Sequence, residues 1–503
     1  MDTFYFFNSQ ILDQNLTTPL YLQIAELITG KIETGEIPAG TKLPPERELS
    51  TLLGVSRTTT INAYRYLEKQ GIVNIKIGSG TYVIRHTFQT NPPLLWNQLF
   101  TAHAQTPAAS ILKELVSAKQ LPENISLAAG MPNPTLYPIE LFSQLYTENI
   151  GAAEPSEFGL IATEGYMPLR TSVSDMLTKK AITVTPDNVL ILSGSQQGLY
   201  LVGKAFLEPG DYVIVESPTY IGAIQTFQSL GARLLTVPAS KNLDLAQIED
   251  YIIRYRPKLF YILPTFQNPS GQVLSLQNRQ QLIQLAARHR LVIIEDDTYG
   301  DLYYDSEPPP PIKALDSYEG VLYLGTASKI LFPGLRIGWI VGPQEVIQRL
   351  AFEKQYIDLH SNNITQWLLH KFLAKNLLDN HLTKVRTTYL KNRNIAIDAL
   401  RHYAKGNFKF SIPDGGLYLW GTVQGNCSTK TLLHEAARHG VSFVPGEVFY
   451  ATPPDLCQAR LCFTTTDSEL LAEGIRRFAA AINSAIKTTP QKKTTVSASM
   501  PII

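Results

Sequence analysis

The spacing of apolar positions divides the chain into a short helical region and a long region of alternating elements. Residues 19–37 carry apolar side chains every three or four positions, which predicts an amphipathic helix. Two further helices are predicted over 46–54 and 56–71, and each is closed by a glycine. Residues 72–85 then alternate between apolar and polar positions around Gly78-Ser79-Gly80, which predicts a two-stranded hairpin.

Helices and strands are predicted to alternate from about residue 168 onwards. The predicted helices are 168–180, 196–207, 220–230, 245–255 and 275–289. The predicted strands are Val189–Leu192, Tyr212–Glu216, Arg233–Val237, Leu259–Leu263, Leu291–Glu295, Val321–Leu324 and Ile337–Val341. Apolar strands that alternate with helices predict an α/β fold with a mostly parallel sheet.

The same patterns predict the domain organisation. The small helical domain with its hairpin covers residues 17–86, and a polar, Pro-containing linker covers 87–110. The large α/β domain covers 111–487, with a smaller α/β subdomain from about 375 to 487. The polar, basic tail 488–503 is predicted to be disordered.

Composition narrows the class of protein. Hydrophobic residues make up 44% of the 503 positions and charged residues 17%, which suits a soluble chain with a sizeable core. No apolar run is long enough to span a membrane, and the first residues lack the pattern of a signal peptide. Cys427, Cys457 and Cys462 form no CxxC pair, so we expect a reducing compartment, a cytoplasmic location and no metal site.

Charge is distributed unevenly, although the formal net charge is only +1. Residues 42–85 hold seven basic and three acidic residues, and a basic patch of this kind favours DNA as a partner. Within this patch, two helices joined by a tight glycine turn predict a helix-turn-helix, and the hairpin after them predicts a wing.

The segments LPPERELSTLLGVSRTTT and GSGTYV resemble the winged helix-turn-helix of the GntR family. This resemblance implies DNA contacts by Arg47, Arg57, Thr58, Thr59 and Gly78. Two other interpretations stay open. The threonines could cap a helix while Arg47 pairs with Glu46 or Glu48, or the domain could bind another protein rather than DNA.

Lys329 lies in a loop between two predicted buried strands. Desolvation lowers the pKa of such a lysine and makes it a nucleophile that forms a Schiff base with a carbonyl. Thr326, Ser328 and Arg336 lie close by in the chain, and hydroxyls with an arginine suit a phosphate. A carbonyl and a phosphate in one molecule suggest pyridoxal 5′-phosphate (PLP). The plainer interpretation is a surface lysine and arginine beside an ordinary pair of strands.

Polar residues follow other predicted strands, at the edge where parallel sheets bind ligands. Ser195 and Gln196 open a helix, whose N-terminus suits a phosphate. Asp296 ends a buried strand and needs a cationic partner there, which the protonated pyridine nitrogen of PLP would supply.

Three further residues at this edge are Tyr220, Asn268 and Tyr299. Tyr220 could stack on a flat ring, and Asn268 and Tyr299 could bind the phenolic oxygen of PLP. A core tyrosine and a plain Asn-Pro turn are the alternatives for Tyr220 and Asn268.

The segments GSQQGL, SPTY, QNPSG, EDDTY and SK…GLRIG occur in the order found in fold-type I aminotransferases. They resemble most the kynurenine and α-aminoadipate aminotransferase type, which implies a fold-type I large domain with a mixed, mostly parallel sheet. The resemblance implies three catalytic residues, Lys329, Asp296 and Tyr299. It implies a cofactor-binding set made of Lys329, Asp296, Tyr299, Asn268, Tyr220, Ser195, Gln196, Thr326, Ser328 and Arg336.

The same resemblance places a substrate or effector carboxylate against Arg460, near Gly130 of the segment AAGMPNP. An arginine fork suits a carboxylate, and a surface ion pair is the alternative. One departure concerns the loop EFGLIATEGYMPLR, where the family usually carries a tyrosine whose hydroxyl reaches the phosphate in the partner subunit. Phe158 stands nearest to that place, so either the alignment shifts or that hydroxyl is absent.

A GntR-like winged helix followed by an aminotransferase-like domain is the arrangement of the MocR/GabR-type regulators. This resemblance implies a PLP-dependent bacterial transcription regulator. An amine or amino-acid effector would react at the PLP–lysine aldimine and alter binding to a double-stranded DNA operator. It also implies a domain-swapped homodimer. Two alternatives stay open: an active aminotransferase with a winged helix as docking module, and a regulator for which PLP itself is the signal.

Overall fold

The structure is a computed structural model that describes residues 18–76, 78–84 and 124–488, together with Leu12 and Leu99. The chain falls into two compact units, residues 1–106 and 107–503. Most of the predicted linker 87–110, the predicted start of the large domain and the tail beyond residue 488 lie outside the described residues. The domain boundaries drawn from the sequence therefore stay predictions.

The first unit combines three helices with a hairpin. Its described elements are α1 (Leu20–Glu33), α2 (Glu46–Leu53), α3 (Arg57–Lys69), β1 (Val73–Lys76) and β2 (Gly80–Val83), and the two strands pair antiparallel. α2 ends at Gly54, whose φ of 66° is left-handed and costs glycine little. Ser56 caps α3, since its side chain accepts a hydrogen bond from the backbone N–H of Thr59. The predicted helix-turn-helix and wing are confirmed.

Apolar side chains from all five elements share one core in this unit. Ile28, Leu49 and Leu67 are fully buried in it, and Val83 reaches it from the wing. The buried hydroxyl of Tyr64 donates to the carbonyl of Pro44 at 2.6 Å, which ties the segment before α2 to α3. This packing leaves Arg57 and Thr58, at the start of α3, exposed to solvent.

A seven-stranded sheet organises the second unit. Its strands are β4 (Val189–Leu192), β5 (Tyr212–Ser217), β6 (Arg233–Pro238), β7 (Leu259–Ile262), β8 (Val292–Asp296), β9 (Val321–Thr326) and β10 (Gly338–Val341). They lie in the order β4-β10-β9-β8-β7-β5-β6. β10 is antiparallel to both neighbours, whereas the pairs from β9 across to β6 are parallel. The predicted mixed, mostly parallel sheet is confirmed.

Both faces of this sheet are covered. Ile214, Phe260 and Ile293 pack into one apolar cluster, whereas the alternate residues Val215 and Tyr261 pack into another. Burial of both faces explains why these strands are continuous apolar runs. The helices of this region are Ile139–Asn149, Met167–Thr178, Ser195–Phe206, Ile221–Ser229, Leu245–Tyr255, Leu276–His289, Gln344–Gln355 and Asn363–Ala374.

Strand register brings the ends of three strands together. Gly338 of β10 lies opposite Thr326 of β9 on one side and Leu192 of β4 on the other. A Cβ at Gly338 would lie 2.8 Å from the backbone nitrogen of Ser195, so glycine is needed for the helix to start there. The loops that follow β4 and β9 are therefore neighbours.

The C-terminal part of this unit is a smaller α/β layer. β11 (Phe408–Phe410), β12 (Tyr418–Val423), β15 (Gln458–Cys462) and β14 (Val444–Pro445) form an antiparallel sheet in that order, and β13 (Val441–Ser442) pairs with β3 (Ile125–Ser126). Its helices are Leu378–Ala404, Thr429–Arg438 and Ser468–Thr488. β11 and β12, which are consecutive in the chain, form a hairpin. No helix within residues 18–84 and 124–488 has both the length and the apolar character to span a membrane.

Candidate functional site

A cavity of about 390 Å³ opens between the strand ends of the seven-stranded sheet and the small C-terminal sheet. Eight residues that the sequence singles out line it: Lys329, Asp296, Tyr299, Asn268, Tyr220, Ser195, Arg460 and Gly130. A larger cavity of about 550 Å³ lies beside Asp301 and Pro308–Pro311, but it holds none of the predicted site residues. We therefore place the candidate site in the smaller cavity.

Lys329 projects into this cavity from the loop after β9. Its Nζ donates a hydrogen bond of 2.7 Å to the carbonyl of Gly130 and lies 3.6 Å from the Sδ of Met131. Burial, together with the positive charges of the nearby Arg460 and Arg336, lowers the pKa of Lys329 to about 8. A substantial fraction of this amine is therefore neutral, and nucleophilic, near neutral pH.

Asp296 ends β8 at the base of the cavity and is almost fully buried. The hydroxyls of Tyr261, at 2.8 Å, and Thr298 donate to its carboxylate. Burial raises the pKa of Asp296, and these two hydrogen bonds oppose the shift. Among the residues that the structure describes, no cation forms an ion pair with Asp296, so the carboxylate is suited to a cationic ligand atom.

Asn268 and Tyr299 meet on one wall of the cavity. The side-chain amide of Asn268 donates to the Tyr299 hydroxyl at 3.3 Å, and that hydroxyl lies 3.1 Å from the hydroxyl of Tyr418. Burial holds the pKa of Tyr299 well above its usual value, so the hydroxyl keeps its proton. The group can donate to a ligand oxygen, as the sequence interpretation requires.

Arg460 extends from β15 and is 8% exposed. Its two terminal nitrogens donate to Asn268 Oδ1 and to the carbonyl of Ala128, each at 3.0 Å. Its guanidinium lies over the rings of Tyr418 and Phe449, 4.1 and 4.9 Å from their centroids. Its Nε has no hydrogen-bond partner within the described part of the chain. The surface ion pair that was the alternative for Arg460 is not observed there.

The predicted phosphate residues lie around the start of helix Ser195–Phe206. Arg336 donates to the carbonyl of Ser193 at 2.8 Å, and the Thr326 hydroxyl accepts from the backbone N–H of Ser328. The strand register places these groups beside Ser195. The Gln196 side chain instead donates to Gly222 and Thr226, so it can serve a phosphate only through its backbone.

Tyr220 and Gly130 flank the cavity, whereas Phe158 does not enter it. The Tyr220 hydroxyl donates to Gln196 Oε1 at 3.1 Å, and burial raises the pKa of Tyr220 to about 12. A Cβ on Gly130 would lie 2.0 Å from the Tyr418 hydroxyl. Phe158 packs on Trp367 with ring centroids 5.6 Å apart, so in this unit its ring is part of the core.

Sequence reasoning missed several residues of the site. The hydroxyl of Tyr418, on β12 of the small C-terminal sheet, contacts the hydroxyl of Tyr299, and the ring of Phe449 lies against the guanidinium of Arg460. Tyr261 and Thr298 hold Asp296. The GGLYLW hairpin gave no local signal for Tyr418, because only the packing of two sheets brings it to the site. Thr298 could have been found, since a hydroxyl two residues after a buried acid is a natural donor.

The candidate DNA-binding residues lie on one short stretch of the first unit and on its wing. Arg57 and Thr58 are exposed, whereas the Thr59 hydroxyl lies 2.8 Å from the hydroxyl of Ser56. Thr59 therefore takes part in the cap that was its alternative role. Arg47 is exposed, and within the described residues it forms no ion pair with Glu46 or Glu48.

Two lysines of the basic patch lie against the wing, Lys76 at the end of β1 and Lys42 before α2. Lys76 and Lys42 lie 5.4 and 6.0 Å from the ring centroid of Tyr82. Gly78 at the tip has a φ of 75°, and a Cβ there would meet no atom within 4 Å. An open tip flanked by lysines is suited to contact with a phosphate backbone.

The cavity residues fit PLP by their donor set. Three kinds of group face one space: the Lys329 amine with its lowered pKa, the buried Asp296 carboxylate that lacks an ion pair in the described chain, and the donors of Asn268 and Tyr299. These match the aldehyde, the ring nitrogen and the phenolic oxygen of PLP. The roles of individual residues stay predictions.

Comparison with known proteins agrees with this geometry. Residues 143–478 match the family described as aminotransferase class I and II, and residues 20–83 match bacterial regulatory proteins of the gntR family. An uncharacterised HTH-type transcriptional regulator of Bacillus subtilis, YisV, is 34% identical over 86% of this chain and 90% of its own length. Aromatic-amino-acid aminotransferase 1 of Thermococcus litoralis is 35% identical over 79% of this chain and 97% of its own length.

A solved structure shows the same fold. The kynurenine aminotransferase of Pyrococcus horikoshii, in complex with PMP, KYN and KYA, superposes with a TM-score of 0.73 at 34% identity, over 77% of this chain and 98% of that one. PLP is therefore the cofactor of this chain. The protein belongs to the class I and II aminotransferase family, within the group of HTH-type transcriptional regulators that carry an N-terminal gntR-family domain.

Proposed function

We propose that this protein is a PLP-dependent transcription regulator, in which a gntR-type winged helix binds DNA and the aminotransferase-like domain senses a small amine or amino acid. The observation that supports this most is that one chain contains both a gntR-family domain and a PLP-type cavity. Lys329, Asp296 and Arg460 all line that cavity. Fold alone does not set function, so the proposal rests on these side chains.

Bound PLP supplies an aldehyde and an electron-accepting ring. Lys329 would hold the aldehyde carbon, and Asp296 would keep a proton on the ring nitrogen. Ser195, Ser328 and Arg336 would bind the phosphate through the helix start and the loop after β9. In this arrangement the chain orients the cofactor from three separate strand ends.

Arg460 would bind the carboxylate of an amino-acid effector. Its terminal nitrogens already form a fork held by Asn268 and the Ala128 carbonyl, which suits two carboxylate oxygens. The described wall beside it is apolar and includes Ile221, Val444 and Val448. We therefore expect amino acids with apolar side chains to bind better than dicarboxylic ones.

The proposal extends to assembly and location. The chain would form a head-to-tail, domain-swapped homodimer, bind a double-stranded operator and work in the bacterial cytoplasm. Binding of the effector at one domain would change the population of DNA-binding arrangements, which requires unequal affinity of the effector for the two states.

The test combines cofactor absorbance with DNA binding. Purified protein should be yellow, and Lys329→Ala should lose covalently held cofactor in denaturing mass spectrometry after borohydride reduction. Titration with apolar amino acids should change both the visible band and the DNA affinity measured by fluorescence anisotropy. A colourless protein that takes up no PLP would refute the proposal.

The second candidate function is an active aminotransferase, and it is favoured by the full set of catalytic residues in the cavity. Steady-state assays with an amino acid and an oxo-acid acceptor separate the two functions. Fast, multiple-turnover transfer would favour the enzyme. A spectral change that occurs once per site and then stops would favour the regulator.

A further inference from the structure

Two cysteines 30 positions apart in the chain meet in the small C-terminal sheet. The Sγ atoms of Cys427 and Cys457 are 3.3 Å apart, and both thiols are free. Cys427 is half-buried, and Cys457 is buried. Both line a cavity of about 510 Å³ that shares no residue with the candidate PLP cavity. An oxidant in solution can therefore reach the pair without entering the effector site.

The surroundings of the two thiols make them unequal. Cys427 immediately precedes Ser428, the N-cap of helix Thr429–Arg438, and helix N-termini stabilise thiolates. The thiol of Cys457 donates to Cys427 Sγ and lowers the pKa of Cys427, whereas the same contact, with burial, raises the pKa of Cys457. Cys427 is therefore the nucleophile of the pair, and Cys457 is its neighbouring thiol.

We propose that Cys427 and Cys457 form an oxidation site, at which a hydroperoxide converts the two thiols into a reversible intramolecular disulfide. The Cys427 thiolate attacks the peroxide, so an S–O bond forms and the O–O bond breaks, and the hydroxide that leaves takes up the proton lost by Cys427 to become water. The Cys457 sulfur then attacks the Cys427 sulfenic acid, so the S–S bond forms and the S–O bond breaks, and the second hydroxide leaves as water with the proton of Cys457. Two electrons pass from the sulfurs to one hydrogen peroxide, and a small dithiol reverses the step by exchange.

The position of the pair connects it to the effector site. Cys457 directly precedes β15, which carries Arg460, and the backbone carbonyl of Cys457 accepts a hydrogen bond of 2.8 Å from Val423 of β12. A disulfide would join the entry of β15 to the start of helix Thr429–Arg438. Disulfides in reducing compartments are usually transient and redox-sensing, which suits a regulator rather than a structural bond.

A metal site is the weaker alternative. No group of three or more His, Cys, Asp or Glu side chains in the described residues has the arrangement of a metal site, and zinc sites in proteins usually need four ligands.

Cys462, the third cysteine, provides an internal comparison for the reactivity of the pair. Its Sγ lies 3.2 Å from the hydroxyls of both Thr464 and Thr465, and it is almost fully buried.

The experiment treats the purified full-length protein with hydrogen peroxide and counts thiols after denaturation. The count should fall from three to one, and intact mass should fall by about 2 Da, the two hydrogens lost on disulfide formation. Peptide mapping should join the segments that contain Cys427 and Cys457, and dithiothreitol should restore three thiols. In Cys462→Ser, a matched control, the count should fall from two to zero.

Two results would overturn the proposal. One is a wild-type protein that keeps all three thiols under peroxide concentrations that oxidise free cysteine. The other is a disulfide that joins two chains, seen as a reducible dimer band on denaturing gels.

Cys427→Ser should form no intramolecular disulfide, and its unchanged PLP absorbance would show that the variant is folded. The same 2 Da loss in that variant would also refute the assignment.

Discussion

Lys329 shows how one side chain acquires its chemistry from burial. A lysine in water has a pKa of about 10.4, whereas burial beside Arg460 and Arg336 lowers the pKa of Lys329 to about 8. The hydrogen bond of its Nζ to the carbonyl of Gly130 offsets little of that loss of hydration. The residue is prepared to react because its charged form is destabilised.

Covalent uptake of PLP should therefore depend on pH with a midpoint near 8. The amine reacts only when neutral, and the lowered pKa means that the neutral form increases as pH rises through 8. The rate of PLP uptake by the apoprotein, followed by absorbance on either side of that pH, should rise and then level off. Nα-acetyl-lysine is the control, and a protein profile that matches it would contradict the prediction.

Arg460→Ala should abolish the response to amino-acid effectors while PLP still binds. Loss of one partner from a buried charged pair costs about 3–5 kcal/mol, so effector affinity should fall by at least two orders of magnitude. Arg460→Lys should not restore it, because a lysine loses the fork and the stacking between Tyr418 and Phe449. Titration of the visible band measures this, and a wild-type response in Arg460→Ala would place the carboxylate elsewhere.

At the scale of elements, α3 illustrates how a helix presents a few side chains to a partner. Ser56 caps it, Gly54 turns the chain into it, and the core below it is apolar. Arg57 and Thr58, the first two residues of α3, are then exposed to solvent. Packing explains this, because the buried face of α3 is formed by Thr60, Ala63, Tyr64 and Leu67.

Arg57→Ala should weaken operator binding by about 1–3 kcal/mol if the side chain contacts a base. Lys69→Ala is the matched control, because it lies at the other end of α3, about 18 Å away at 1.5 Å per residue. Electrophoretic mobility shift titrations at several salt concentrations measure both variants. If Lys69→Ala has the larger effect, the first turn of α3 is not the contact region.

At the scale of the whole molecule, the second unit exposes several large apolar side chains near residues 352–359. Leu160, Phe352, Tyr356, Ile357 and Leu359 are all exposed, and this set is called the apolar patch below. Asp358 fixes the segment around it, since it pairs with Lys354 at 2.7 Å and accepts from Ser193 beside the predicted phosphate site. Large exposed apolar side chains are one feature of protein interfaces.

Tyr356→Glu should shift the proposed homodimer towards monomer. Tyr356 is 86% exposed in the chain, so the change costs the monomer little, but it would bury a charge in an interface that contains the apolar patch. Sedimentation velocity over a concentration series should show a dimer affinity at least tenfold lower. Ile253→Glu, which is 65% exposed on another helix, is the control and should remain dimeric.

The sequence by itself determined the elements and most of the chemistry. Periodic burial is a local property, so the α/β alternation, the mostly parallel sheet and the winged helix could be predicted from spacing alone. The loop around Lys329 and the acid at the end of β8 were also visible, because buried charges at strand ends are rare without a ligand or partner. α1 ends at Glu33 rather than at residue 37, and Gly35, two residues later, has a left-handed φ of 76°.

Only the tertiary structure decided which side chains meet. Tyr418 joins Tyr299 across 119 positions, and Arg460 joins Asn268 across 192. The Gln196 side chain donates to Thr226 rather than pointing into the cavity, and the thiols of Cys427 and Cys457 are in contact. None of these contacts has a local signal, because each depends on how two separately predicted sheets and helices pack, and packing is set by the shape of the whole core.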